Sequence, residues 1–245
     1  MKINNLLIIS LILLAYACEK ENPAKAPEIK AGDNKNMIIN YYDTVLSGGY
    51  HVVNTLNIDM NNDGVDDFQL ESEIWGSPGM GQIPVSAIKC LHNSAKLLGD
   101  FTYDTLFVNR DTLIQEGAYT GTWEKYLINN YTCNRIEQND SILLITPTFE
   151  LTILEREELI SQSDNFSCDT LTLISGPRGN WPVFVGVSGD TTIYEYNVSY
   201  NDCRVFPMEK IVFVGVELDN NRLGWIKLTI FDYYKVMLHE SGIQE

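Results

Sequence analysis

Basic residues are scarce in this chain of 245 residues. It contains 17 lysines and arginines against 33 aspartates and glutamates, which gives a formal net charge of −16. A surface this acidic repels the phosphates of nucleic acids, and no cluster of basic residues interrupts it. Nucleic-acid binding is therefore excluded from the expected functions.

The catalytic motifs that can be recognised from sequence are also missing. The three histidines, His51, His92 and His239, do not have the spacing of metal ligands. The segment 186–190 reads Gly-Val-Ser-Gly-Asp, which does not match the Gly-x-Ser-x-Gly pattern of a nucleophile elbow. We therefore expect no enzymatic activity. A hydrolase with two carboxylates distant in sequence is the alternative, because sequence does not show how far apart carboxylates lie.

The N-terminal apolar stretch, residues 6–14, is too short to span a membrane, which takes about 20 residues in a helix. It follows Lys2 and precedes small residues around Ala17. A basic start, a short apolar core and small residues before a break are typical of a secretory signal peptide. We therefore expect residues 1–17 to be removed on export.

Cys18 directly follows the segment 13–17, Leu-Leu-Ala-Tyr-Ala. This arrangement resembles the bacterial lipobox, which implies that Cys18 becomes the lipid-carrying first residue and anchors the protein to a membrane. The alternative is that the ordinary signal peptidase cuts the signal peptide near Ala17. The residues after it, Glu19-Lys20-Glu21, resemble the surface-export signal of Bacteroidetes lipoproteins, which implies an outer-membrane location facing outward. An ordinary charged tether is the other interpretation of these three residues.

Residues 18–36 are polar, contain two prolines and have no apolar period, so they predict a lipidated, flexible tether. From residue 37 to 245, short runs rich in Ile, Val, Thr, Tyr and Phe alternate with Asn, Asp and Gly clusters. This pattern predicts an all-β fold, an antiparallel β-sandwich or jelly-roll-like domain, with two packed β subdomains as the alternative. At most one or two short helices are expected, at 154–161 and within 87–98.

The segment 59–67, Asp-Met-Asn-Asn-Asp-Gly-Val-Asp-Asp, carries the clearest chemical signal. Calcium takes six to eight oxygen ligands, and alternate residues of a tight loop can direct oxygens to one centre. We predict a structural calcium site with these ligands, the fourth through its carbonyl oxygen: Asp59, Asn61, Asp63, Val65 and Asp67. The segment resembles the strand-loop-strand calcium hairpins of integrin-type FG-GAP repeats. A metal-free hairpin turn is the alternative.

Four further cysteines are widely spaced, unlike the close Cys-x-x-Cys pairs of zinc sites: Cys90, Cys133, Cys168 and Cys203. In an exported chain an even number of cysteines predicts two disulfides, with three connectivities open. We favour a Cys133–Cys168 bridge, because a single β segment separates these two residues. Buried free thiols are the alternative.

Aromatic side chains can stack on sugar rings or fill a core, and the second role is the commoner one. The tryptophans are Trp75, Trp123, Trp181 and Trp225, and 13 tyrosines accompany them. Trp75 borders a glycine-rich loop and is therefore our candidate ligand-binding residue.

The C-terminal segments 211–218 and 222–229 resemble the last strands of small exported bacterial proteins of unassigned function. That resemblance implies a β fold and export, and it brings no catalytic residues. We therefore expect a lipid-anchored cell-envelope protein, a calcium-stabilised binding or accessory module with a glycan or surface protein as partner. The alternatives are an extracellular carboxylate-dependent polymer hydrolase and a structural surface protein without a small ligand.

Overall fold

The computed structural model describes residues 27–76, 82–132, 138–139, 141–176, 183–199 and 207–245. Cys18 and the expected signal peptide lie outside these ranges. Within the described ranges the regular structure is β, apart from one short 3-10 helix, Asp219–Asn221. No helix in this part of the chain has the length and apolarity to cross a membrane. The all-β prediction is confirmed.

The strands follow one another in the first half of the chain as β1 Glu28–Lys30, β2 Met37–Ser47, β3 Gly49–Tyr50, β4 Asn54–Ile58, β5 Phe68–Gly76, β6 Gln82–Cys90, β7 Lys96–Glu116, β8 Trp123–Thr132 and β9 Ser141–Leu151. The second half contains β10 Ile153–Leu154, β11 Leu159–Ser161, β12 Phe166–Ser167, β13 Leu171–Ser175, β14 Val183–Ser188, β15 Thr191–Ser199, β16 Ile211–Leu218, β17 Arg222–Asp232 and β18 Lys235–Gln244.

Two sheets pack face to face as a sandwich. The large sheet has the strand order β14-β15-β8-β7-β16-β17-β18-β2, and the small sheet joins β13, β6, β5, β4 and β3. Strand β5 alternates buried and half-buried residues from Phe68 to Ile74, as expected for a strand with one face on a core. The core between the sheets includes Phe68, Leu70, Ile88, Val214, Ile226 and Leu238.

The large sheet is covered on its second face as well. Strands β1 and β11 pair there with Ile29 opposite Ile160, and they enclose the fully buried Trp225. Strand β16 is buried at nearly every position for this reason, and its apolar run from Ile211 to Val216 suits a doubly covered strand. Residues 28–30 belong to this layer, so this part of the segment expected to be a tether is in the fold instead.

Both expected helices are wrong. Residues 154–161 form the end of β10, a turn and β11, and Leu154 packs in the same cluster as Phe213. Glu157 in that turn has φ 70°, which a right-handed helix does not allow. Residues 87–98 form the end of β6, a turn and the start of β7. The cause is sheet pairing, which overrides a local pattern of helix-forming residues.

One part of the large sheet stands apart from both cores. We call it the outer sheet: residues 107–116 of β7 together with β8, β15 and β14. Strand β8 pairs antiparallel with β7 and parallel with β15. Among the described side chains of the outer sheet, Val108 alone is buried. Exposed side chains of the described residues lie on both faces of this sheet, Leu113 and Phe184 on one and Trp123 on the other.

Candidate functional site

The loop 59–67 is shaped by its own side chains. The carboxylate of Asp59 accepts hydrogen bonds from the backbone N–H groups of Asn62, at 2.8 Å, and Gly64, at 2.9 Å. The side-chain oxygen of Asn61 accepts from the N–H of Asp63 at 3.0 Å. The contact of Asn61 is an Asx turn, and all three contacts satisfy backbone groups that a tight turn leaves free.

The loop continues the same pattern to its next turn. Asp63 accepts a hydrogen bond from the N–H of Val65 at 2.8 Å. Asn62 and Gly64 have positive φ values of 61° and 86°, which Asn and Gly tolerate better than other residues. The alternation of Asx turns and positive φ explains why this segment is rich in Asp, Asn and Gly.

The turn geometry leaves capacity for a cation, since an oxygen that accepts one hydrogen bond keeps a second lone pair. This holds for the side chains of Asp59, Asn61 and Asp63. No three His, Cys, Asp or Glu side chains of the described residues lie close enough together to hold a metal ion by themselves. A cation here would therefore depend on the amide oxygen of Asn61 and the carbonyl of Val65 as well.

Asp67 is buried at the base of the loop and is fully engaged there. One carboxylate oxygen accepts the N–H of Met60 at 2.8 Å, and the other lies 3.0 Å from Nε2 of His92. Burial raises the pKa of Asp67, and the hydrogen bonds from Met60 and His92 oppose that shift. Sequence reasoning missed His92 as a partner, and the role of Asp67 as a calcium ligand stays a prediction.

Strand β2 attaches the loop to the large sheet. The amide of Asn40 donates to the carbonyl oxygens of Asp59, at 2.9 Å, and Met60, at 3.1 Å. The hydroxyl of Tyr42 donates to the carbonyl of Asp59 at 3.1 Å, and burial is the main cause that raises the pKa of Tyr42. No local signal in the sequence could reveal these contacts, because β2 is distant from the loop along the chain.

Cys90 and Cys168 carry free thiols, with Cys90 buried and Cys168 exposed. The favoured Cys133–Cys168 bridge is not seen in this structure, and among the described residues Cys90 is the cysteine that lies beside Cys168. Burial, and secondarily negative charge at Cys168 and Asp169, raises the pKa of Cys90 to about 12. Cys133 and Cys203 lie outside the described residues.

The four tryptophans have different surroundings. Trp75 lies on β5 with 56% of its surface exposed, and its indole N–H donates to the carboxylate of Glu73. Trp123 is 44% exposed at the start of β8, and Trp225 is in the core as the commoner role predicts. Trp181 lies outside the described residues. The ligand-binding role of Trp75 stays a prediction.

A row of apolar side chains crosses one face of the outer sheet, and we call it the aromatic row: Leu113, Tyr126, Tyr194 and Phe184. Strand pairing sets Leu113 opposite Tyr126, Tyr126 opposite Tyr194 and Tyr194 opposite Phe184. The two tyrosine rings stack with centroids 5.2 Å apart and planes 18° apart, and Phe184 meets Tyr194 edge to face at 6.4 Å. Phe184 is 60% exposed and Leu113 50%.

Polar side chains border the aromatic row on the same face. Glu124 accepts hydrogen bonds from the hydroxyl of Tyr126 at 2.8 Å and from the amide of Gln115 at 3.0 Å. These bonds, first that of Gln115, lower the pKa of Glu124, and the bond to Glu124 raises the pKa of Tyr126. At neutral pH this border therefore presents a carboxylate, an amide and a phenol.

Sequence reasoning missed the aromatic row. The alternation of residues 191–198 predicts a half-buried antiparallel strand. Strand β15 is half-buried where its side chains are described, and it pairs antiparallel with β14 but parallel with β8. The row itself depends on the parallel pairing of β15 with β8, two strands that a long segment of chain separates.

No family model, curated protein or solved structure matches this chain.

Proposed function

We propose that this protein is a lipid-anchored cell-envelope binding module that holds a glycan on the aromatic row of the outer sheet. Cys18 supports the anchor, through its resemblance to a lipobox. The aromatic row is the single observation that carries the binding function. A calcium ion in the loop 59–67 stabilises the small sheet beside β2 in this proposal.

The exposure of the row favours a ligand. Large apolar side chains that lie side by side on an accessible surface mark interaction sites more often than isolated ones do. Four adjacent strands, each about 4.8 Å from the next, give the row a length of roughly 14 Å. A surface of that length suits an extended chain molecule better than a small compact one.

The chemistry of the row and its border favours a glycan over a purely apolar chain. Sugar rings have apolar C–H faces, which pack on aromatic side chains, and hydroxyl groups, which need hydrogen-bond partners. Leu113, Tyr126, Tyr194 and Phe184 supply the first kind of contact. Glu124 and Gln115 supply the second kind along the same face.

The open shape of the face favours binding over hydrolysis. A glycosidase places two carboxylates on opposite sides of the scissile bond, about 5–9.5 Å apart. The aromatic row lies across a sheet surface whose described side chains are exposed or half-buried, rather than between two walls. The hydrolase therefore remains the alternative, and the binding module is the function that we propose.

The loop geometry supports the calcium part of the proposal. Hydrogen bonds from backbone N–H groups orient the side chains of Asp59, Asn61 and Asp63 within the loop, and each accepting oxygen keeps a lone pair for a cation. Sites in extracellular proteins work with dissociation constants of about 0.1–1 mM. Millimolar calcium outside the cell is sufficient for such a site.

Affinity gels with a panel of soluble polysaccharides test the binding function. We expect at least one polysaccharide to retard the wild-type protein. Tyr194→Ala and Phe184→Ala should weaken that binding at least tenfold. Tyr41→Ala is the matched control, because Tyr41 is an exposed aromatic on β2, away from the row. Retardation that is equal in all four proteins, or absent from the wild type across the panel, would overturn the proposal.

A further inference from the structure

Two cysteines meet where the chain crosses from one sheet of the sandwich to the other. Cys90 is the last residue of β6 in the small sheet. Cys168 directly follows β12, whose Ser167 pairs with Leu97 of β7 in the large sheet. The chain then enters β13, where Leu171 pairs with Ile88 of β6. Residues 168–170 therefore bridge the two sheets beside Cys90.

The sulfur of Cys90 is directed at the backbone on both sides of Cys168. It lies 3.8 Å from the carbonyl oxygen of Ser167 and 4.0 Å from that of Asp169. Consecutive Cα atoms are about 3.8 Å apart, so the sulfur lies within a few ångströms of the backbone of Cys168. The antiparallel pairing of Leu171 with Ile88 brings the chain before β13 beside the end of β6, and disulfides join residues whose Cα atoms are about 4.4–6.8 Å apart.

We propose that Cys90 and Cys168 form a disulfide in the oxidised protein. The bond ties the end of β6 to the crossover between the sheets. It also lies close to the base of the loop 59–67, because Cys90 pairs with Phe68 and the N–H of Leu91 donates to the carbonyl of Asp67 at 2.9 Å. The inference is independent of the glycan and requires only an oxidising environment.

The reaction is a two-electron thiol–disulfide exchange. The exposed Cys168 thiol loses its proton and attacks the disulfide of a small-molecule or protein exchange donor, which releases one donor thiol. Cys90 then loses its proton and attacks the sulfur of Cys168, which releases the second donor thiol. Two thiols of the protein are oxidised to one disulfide, and the donor disulfide is reduced to two thiols.

The environments of the two sulfurs fix this order of attack. Cys168 is exposed, so a donor can reach it first. Burial raises the pKa of Cys90 to about 12, which keeps that thiol protonated and slow towards external reagents. Once Cys168 carries the donor, Cys90 is the neighbouring thiol and acts as the resolving cysteine.

Mapping of the disulfide by mass spectrometry tests the proposal. The full chain is incubated in a buffer of oxidised and reduced glutathione, alkylated without reduction and digested. We expect a peptide in which Cys90 is linked to Cys168. A product in which both residues are alkylated, or in which Cys168 is linked to Cys133 or Cys203, would refute the inference.

Thermal unfolding gives a second readout with a matched control. Disulfides that close long loops commonly stabilise by a few kcal/mol, so reduction should lower the melting temperature of the oxidised protein by roughly 5–15 °C. Cys168→Ser should melt with the reduced wild type, whereas Cys133→Ser should keep both the linked peptide and the higher melting temperature. If Cys168→Ser does not fold, the comparison of oxidised and reduced wild type decides alone, and equal melting temperatures there count against the bond.

Discussion

The carboxylate of Asp67 and the imidazole of His92 lie 3.0 Å apart and join the loop 59–67 to the turn that follows β6. Asp67 is only 2% exposed, and its second oxygen accepts the N–H of Met60. The contact therefore connects a candidate calcium loop to the strand that ends in Cys90. A substitution in the loop 59–67 should therefore affect the end of β6, and a substitution at the end of β6 should affect the loop.

The buried carboxyl of Asp67 should make stability depend on pH. Burial raises the pKa of Asp67 in the folded protein. The stability that this carboxyl contributes is therefore fully present below its pKa in the unfolded chain, and it is lost as pH rises through its pKa in the folded protein. Asp67→Asn keeps an acceptor for the N–H of Met60 and carries no charge that burial penalises. The free energy of unfolding of Asp67→Asn, relative to that of wild type, should therefore increase from pH 4 to pH 7.

Urea denaturation at several pH values, in the presence of a chelator, measures this effect. Asp66→Asn is the control, since Asp66 lies in the same loop but is hydrogen-bonded to Asn57 near the surface. A stability difference between wild type and Asp67→Asn that does not change with pH would contradict the prediction.

Calcium should stabilise the wild-type protein through the loop 59–67. At a calcium concentration about 100 times the dissociation constant, a site that exists only in the folded state raises the melting temperature by roughly 5–10 °C. Asp63→Ala removes one predicted ligand and should abolish most of this rise. Asp66→Asn, which is outside the predicted ligand set, should retain it. Equal melting temperatures of the wild type with calcium and with chelator would contradict the prediction of a calcium site.

Gly64 should be sensitive to replacement for a purely conformational reason. A Cβ at this position meets no atom within 4 Å, but the backbone has φ 86°, which L-residues rarely adopt. Gly64→Ala should therefore cost about 1 kcal/mol in the free energy of unfolding. Gly186→Ala is the control, because its Cβ also enters open space and its φ is not positive. A similar cost for both variants in denaturant titrations would rule out strain as the cause.

The carboxylate of Glu124 should keep ligand binding constant into weakly acidic solution. Hydrogen bonds from Gln115 and Tyr126 lower its pKa, so the ionised form persists below the ordinary value for glutamate. Affinity measured at pH 7 and pH 5 should be the same for wild type. Glu124→Gln should weaken binding several-fold at both pH values.

Glu116→Gln provides the control for that prediction. Glu116 belongs to β7 and pairs with Trp123, which puts it on the opposite face of the outer sheet from Glu124. The affinity of Glu116→Gln for the polysaccharide should equal that of the wild-type protein. If Glu116→Gln and Glu124→Gln weaken binding equally, the loss reflects overall charge rather than a contact along the row.

The fold class could be predicted from the sequence because its signals are local. Runs of β-branched and aromatic residues between Asn, Asp and Gly turns are enough to predict strands, and the strand-loop-strand form of residues 59–67 follows from the same pattern. The helix expected at 154–161 failed because Leu154 and Ile160 are buried against strands that lie elsewhere in the sequence.

The candidate site could be predicted only in part. The hydrogen bonds from the side chains of Asp59, Asn61 and Asp63 to the backbone reach residues only two to five positions away, so the loop was recognisable. The contacts of Asp67 with His92, and of Tyr126 with Tyr194, depend on strand pairing over long distances along the chain. Parallel pairing of β8 with β15 has no local signature, since a parallel register is set by the whole sheet rather than by a turn.

Chemical-shift mapping with a bound polysaccharide tests the central claim most directly. Titration of the isotope-labelled protein with a polysaccharide that the affinity gels identify should perturb β8, β14 and β15, with the largest changes near Tyr126, Tyr194 and Phe184. Residues around Trp75 and Tyr41 should not change. Perturbations that are centred on Trp75 or on the loop 59–67, with the outer sheet unaffected, would contradict the account.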